Sequence, residues 1–125
     1  MTYLFVYGSL KRKFDLPYAQ LLRANAGFVS EGAMHAIMYK IDNYPGAVES
    51  AEVNAWVQGE IYLLKPDSDT LTVLDVYEGF LPMFPSQSEF VRKRVPARLC
   101  DGNWLTCWVY LYNLDVSNLA RIHDF

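Results

Sequence analysis

Two short stretches hold residue types able to do chemistry. In the first, helical spacing puts Leu71, Leu74, Asp75 and Glu78 on one face, because successive helical residues turn by about 100°. Leu71 and Leu74 are the residues such a helix must turn toward a core, so Glu78 projects from an apolar stripe. Partial desolvation raises a carboxyl pKa, and the like charge of Asp75 is expected to push the same way. A glutamate moved toward neutrality is what general acid–base catalysis needs at physiological pH. The same spacing also fits a glutamate in a frayed last turn that reaches into water, the ordinary place for Glu. The second stretch is Tyr7-Gly8-Ser9-Leu10, which follows an apolar run. Glycine lets the backbone turn sharply and approach a ligand. Amides of Gly8, Ser9 and Leu10 turned outward would bind an anion or a polarised carbonyl. By composition alone, Gly-Ser after a strand is equally an ordinary turn.

The elements that must position these groups follow from the pattern. Tyr3 to Tyr7 is apolar on both faces and reads as a buried strand. Pro17 opens a short helix, Tyr18 to Asn25, with Leu21 and Leu22 inward. Gly27 and Gly32 bracket a segment continuing as one or two strands from Ala33 to Ile41, and Asn43 to Gly46 is a turn. Ala55 to Leu64 is a strand in which Gly59 signals a bulge or a close backbone approach. Lys65-Pro66-Asp67-Ser68 begins the clearest helix, which ends near Glu78 before Gly79. Phe90 to Leu99 and Trp104 to Tyr112 form a hairpin across Asp101-Gly102, and the apolar content of both faces makes the second strand central. Val116 to Phe125 is expected to form a short helix. Strands outnumber helices without alternating regularly with them, which argues for α+β with a strongly curved or closed sheet.

The 125 residues suit one domain, 1–125, and about half are apolar, enough for one core. A net charge of −3 gives no basic footprint for nucleic acid. No apolar run approaches the roughly 20 residues needed to cross a bilayer, and no signal-peptide pattern precedes the first strand. Cys100 and Cys107 form neither a disulfide framework nor a metal spacing, so a reducing, cytoplasmic setting is expected.

Five pieces in order, FVYGSLK (Phe5 to Lys11), YPG (Tyr44 to Gly46), VQGEIYLL (Val57 to Leu64), LDVYEG (Leu74 to Gly79) and a basic strand followed by an aromatic one ending in VYLY (Val109 to Tyr112), resemble the γ-glutamyl cyclotransferase-like family, which includes the AIG2-like proteins and γ-glutamylamine cyclotransferases. The resemblance implies a small mixed β-barrel with a few peripheral helices. It implies that Tyr7, Gly8, Ser9 and Leu10 hold a γ-glutamyl group through backbone amides, that Glu78 is catalytic, and that Tyr110 or Tyr112 completes the pocket. The family's Tyr-x-Arg pattern reads Phe90-Val91-Arg92 here, which removes one hydroxyl. The implied reaction is attack of a substrate's α-amine on its own γ-carbonyl, releasing 5-oxoproline and a free amine or amino acid. It requires no cofactor and no metal. The expected partner is a small γ-glutamyl molecule, with neither nucleic acid nor membrane, acting on a monomer or homodimer. A non-catalytic binding or interaction protein on the same fold is the alternative.

Other residues are open to two readings. Phe80, Met83 and Phe84 either cover the site or pack over the barrel. Lys11, Arg12 and Lys13 are either a solvated loop or a means of steering an anionic substrate. Cys107 shares the Leu105 and Val109 face and reads as core; His35 and His123 are isolated.

Overall fold

The computed structural model describes residues 1–125. The chain runs β1 (Tyr3–Val6), α1 (Pro17–Asn25), β2 (Ala26–Lys40), β3 (Pro45–Glu49), β4 (Trp56–Leu64), α2 (Thr70–Glu78), a 3-10 turn (Pro85–Gln87), β5 (Phe90–Leu99), β6 (Trp104–Tyr112) and β7 (Arg121–Ile122). Strand β1 lies between β4, antiparallel with Val6 opposite Glu60, and β6, parallel with Leu4 opposite Trp108. β6 pairs with β5 along the hairpin, β4 pairs with β2, and β2 meets β5 at Gly32–Leu99 and Ala33–Arg98. Five strands therefore close into a mixed barrel, the small α+β architecture that the sequence implied. The far half of β2 leaves the barrel and pairs with β3 and β7.

Alternation along β1 builds two cores, because successive side chains point to opposite faces. Phe5 and Tyr7 enter the barrel interior with Met34, Ile61, Val95 and Val109. Leu4 and Val6 face a second cluster with Leu22 of α1 and Leu74 of α2. This is why the strand reads apolar on both faces. The close fit of β1 against β4 needs Gly59, since a Cβ there would sit 2.4 Å from the Val6 carbonyl oxygen and 2.6 Å from the Phe5 ring. Helix α2 stops at Glu78 because Gly79 takes a left-handed φ of 69° and its N–H returns to the Asp75 and Val76 carbonyls.

The structure corrects several expectations. The segment around Ala33 to Ile41 is the end of one strand starting at Ala26, with Gly27 and Gly32 inside it and a register shift between Phe28 and Ser30. Helix α2 begins at Thr70 and not at Lys65, because Asp67 has a φ of 59° that a helix cannot propagate. On α1 the fully buried residues are Ala19 and Leu22, while Leu21 is half-buried. The tail forms no helix: Asp115 turns the chain by accepting from the Ser117 N–H and hydroxyl, and Arg121–Ile122 adds to the edge of β2.

Leu74 is fully buried between α2 and the barrel wall. Leu74→Ala should destabilise the protein by about 2–5 kcal/mol in chemical denaturation, and a loss below about 1 kcal/mol would contradict its role as the anchor of α2.

Candidate active site

The exit of β1 is fixed by Tyr7. Its buried hydroxyl donates to the Tyr110 carbonyl oxygen at 2.6 Å and accepts from the Ala47 N–H at 3.0 Å. Burial pushes its pKa up, the Ala47 bond acting against this, so Tyr7 stays neutral and serves as a staple between β1, β6 and β3. The Lys11 N–H then returns to the Gly8 carbonyl at 3.1 Å, closing a turn. The amides of Gly8, Ser9 and Leu10 have no hydrogen-bond partner within the chain. The Leu10 side chain is buried in the helix-side core, and the Ser9 hydroxyl shares a 2.6 Å hydrogen bond with the Tyr77 hydroxyl. Tyr77 in turn stacks on Tyr18, with ring centroids 4.2 Å apart. The loop is thereby tied to both helices.

Glu78 lies across from this loop. Both line one cavity of about 370 Å³, together with Tyr44, Pro45, Tyr77, Glu89, Phe90 and Tyr110. The carboxyl of half-buried Glu78 has no hydrogen-bond or ion-pair partner within the chain. Desolvation, with a smaller contribution from the charge of Glu89, raises its pKa to about 8. The raised value expected from spacing is present, but Asp75 is not the second cause. Asp75 is held by Arg92 through Nε at 2.8 Å and Nη2 at 3.1 Å and also accepts from the Tyr110 hydroxyl at 2.7 Å. Its charge is compensated there by a bidentate cation.

Of the two candidate tyrosines, Tyr110 lines the cavity, although its hydroxyl is committed to Asp75; Tyr112 lies outside the lining and packs edge-on against Phe90, with centroids 5.3 Å apart. Phe90 is buried in the wall, and no buried side-chain polar atom is left without a partner, so the missing tyrosine hydroxyl orphans nothing. Residues 80–88 do not cover the site. Leu81, Met83 and Phe84 are exposed and Phe80 joins the helix-side core, whereas the apolar rim comes from Phe14, Leu16 and Phe125. The buried Ser88 hydroxyl, which accepts from the Leu81 N–H at 2.8 Å, and Asn113 hold that loop away from the cavity. Lys11 donates to the Phe125 carbonyl oxygen at 2.6 Å and is not a lining residue. Cys107 is core, its thiol pushed by burial up to about 11.

Sequence reasoning missed Glu89 and understated Tyr44. The Tyr44 hydroxyl donates to the Glu89 carboxylate, and that bond is the largest cause raising the tyrosine's pKa. Glu89 sits just before β5, with its N–H on the Gly79 carbonyl at 3.3 Å, so the end of α2 and the start of β5 bring two distant carboxylates together. No periodicity marks such a residue. No group of three or more His, Cys, Asp or Glu side chains is arranged to hold a metal.

A closed mixed barrel whose first strand opens into a Gly-Ser loop facing a desolvated helix-terminal glutamate is the architecture of one small α+β class. The family model described as "Gamma-glutamyl cyclotransferase, AIG2-like" matches residues 4–124, and the chain belongs to that family. It is 32% identical over 129 aligned residues to "Putative gamma-glutamylcyclotransferase MJ1514" of Methanocaldococcus jannaschii, covering 100% of this chain and 96% of that protein. In fold it is similar to an AIG2-like protein of Mus musculus (TM-score 0.75, 23% identity, 100% of this chain and 88% of that one). It is also similar to the protein ytfP of Escherichia coli (TM-score 0.66, 27% identity, 98% and 93%).

The elevated pKa of Glu78 makes stability depend on pH. Its folded value, about 8, lies above the ordinary 4.5, so the folded state holds the extra proton between these values and stability falls as pH rises through that window. Glu78→Gln should therefore unfold at higher denaturant than wild type at pH 9, by roughly 1–3 kcal/mol once partial exposure is allowed for. That advantage should vanish below about pH 4, where Glu78 is protonated in both the folded and the unfolded state. An advantage independent of pH would contradict the desolvated carboxyl.

Proposed function

We propose that the protein cyclises a γ-glutamyl group, releasing 5-oxoproline and a free amine or amino acid, with Glu78 as the general acid–base. The observation that carries this reading is the shared cavity: an unpartnered carboxyl with a pKa of about 8 and three unpartnered amides at Gly8, Ser9 and Leu10 line the same space.

The chemistry follows from these groups. The substrate's α-ammonium gives a proton to the Glu78 carboxylate, and the freed amine attacks the γ-carbonyl carbon, forming the ring C–N bond. The carbonyl electrons move to oxygen, and amides of Gly8 to Leu10 stabilise that oxyanion. The oxygen pair then re-forms the carbonyl as the old γ-amide C–N bond breaks and Glu78 returns its proton to the leaving nitrogen; the ring nitrogen gives up its second proton as the lactam forms, and that proton passes to the departing amine, which leaves as an ammonium. A carboxyl with a pKa near neutrality can perform both transfers. Bound ammonium favours the ionised form that the first step needs, since an opposite charge nearby lowers a carboxyl pKa. The walls of Phe90, Pro45 and Tyr110 restrict the flexible glutamyl chain, which turns the reaction into a problem of holding amine and carbonyl together. The substrate is a small molecule, and residues 1–125 act as one domain.

The test is 5-oxoproline release from a panel of γ-glutamyl amides and dipeptides. Glu78→Gln should lower kcat by about 10²–10⁴ on every substrate that wild type turns over. Full activity in Glu78→Gln would remove the assigned role, and no release by wild type from any panel member would favour a binding protein on this fold.

A further inference from the structure

Of the two buried carboxylates, Asp75 is held by Arg92 and Tyr110, which leaves Glu60. It is 8% exposed, on β4, and does not line the cavity that holds Glu78. It borders instead a hollow lined by no hydrophobic residue, with Lys11, Arg12, Lys13, Glu31, Gln58 and Gly59. A carboxylate removed from water needs several donors. Glu60 finds three: Oε1 accepts from the Arg12 backbone N–H at 2.9 Å and the Tyr62 hydroxyl at 3.0 Å, and Oε2 faces Arg12 Nε at 3.3 Å. Two of the three come from Arg12, just beyond the Gly8–Leu10 turn. The Arg12 guanidinium is itself fixed, lying 4.0 Å over the Phe28 ring and 3.6 Å from Glu31.

The loop is therefore pinned at both ends. Tyr7 holds its start through Tyr110 and Ala47, and Glu60 holds its end by a charge-assisted bond to a main-chain amide. Between the two pins lie the three amides without partners. The neighbouring residue makes this reach possible: bare Gly59 lets β4 lie against the end of β1, and Glu60 pairs with Val6, the last residue of that strand. We propose that Glu60 is a positioning residue for the reaction, holding the amides of Gly8, Ser9 and Leu10 in place through Arg12 without touching substrate. The kinetic part of this inference rests on the function proposed above; the structural part does not.

The experiment compares Glu60→Ala and Glu60→Gln with wild type, reading 15N backbone order parameters of Gly8 to Leu10 together with kcat and KM for 5-oxoproline release. In wild type the three amides should be rigid, near 0.85, and in Glu60→Ala they should fall toward about 0.6 or below. Loss of aligned oxyanion donors should lower kcat by about 10²-fold, with KM changed less than about threefold. Glu60→Gln keeps an acceptor for the Arg12 N–H and should recover most of kcat with intermediate order parameters. A merely stabilising role would lower Tm and leave both kcat and loop order at wild-type values, and that result overturns the proposal. Should Glu60→Ala fail to fold, Glu60→Gln decides: wild-type loop order and an unchanged Arg12 amide shift would overturn it, and a loosened loop with an upfield Arg12 amide supports it. A wild type inactive on every γ-glutamyl substrate sinks the proposed function, while loop order still judges the clamp.

Discussion

Strand β1 is hydrogen-bonded on both edges and packed on both faces, and the cavity depends on that. Its edges pair with β4 and β6; its side chains fill the barrel through Phe5 and Tyr7 and meet the helices through Leu4 and Val6. A strand so constrained has no freedom in where it ends. The Tyr7 hydroxyl, bonded to β6 and to the middle of β3, fixes the exit to within a hydrogen-bond length. The loop that follows inherits this position, and α2 is placed against the same strand because Leu74 shares a core with Leu4 and Val6. Two elements of the cavity, far apart in sequence, thus take their geometry from one short strand.

The contrast between Asp75 and Glu78 shows how one helix turn can hold two carboxyls in opposite states. Asp75 is buried but satisfied, with two guanidinium contacts and a tyrosine hydroxyl. Glu78, three residues later, is offered nothing and shares the cavity with the charge of Glu89. Desolvation penalises the charged form of an uncompensated carboxyl, so the environment that makes Glu78 locally unfavourable also moves its titration toward neutral pH. The Asp75–Arg92–Tyr110 network anchors α2 to β5 and β6, and Trp108 stacks under Arg92 at 4.4 Å. The helix can therefore carry an unpaired group at its end without depending on that group for attachment.

Much of this was legible in the residues, for reasons that are local. The two-sided apolar content of Tyr3 to Tyr7 marked a doubly packed strand, Gly59 a close backbone approach, and the Leu71, Leu74, Glu78 spacing a carboxylate on a core-facing stripe. What escaped depended on contacts between distant segments. Asp75 looked like a neighbour of Glu78 because the two are three apart, but Arg92 comes from another strand and claims it. Glu89 joins the cavity only because β5 begins beside Gly79. The apolar residues of 80–88 read equally as a cover or as packing over the barrel; Ser88 and Asn113 tie that loop back on itself, and the rim is supplied by Phe14, Leu16 and Phe125. The tail was misread as helical because its composition carries no sign of the free β2 edge that it pairs with.

The most direct measurement of the central claim is a structure of the protein with 5-oxoproline bound. The product's ring carbonyl oxygen should lie within hydrogen-bond distance of at least two amides among Gly8, Ser9 and Leu10, about 2.7–3.1 Å, with its ring nitrogen facing the Glu78 carboxyl. A product seated elsewhere, or bound in this cavity with its carbonyl turned away from the loop, would contradict the account.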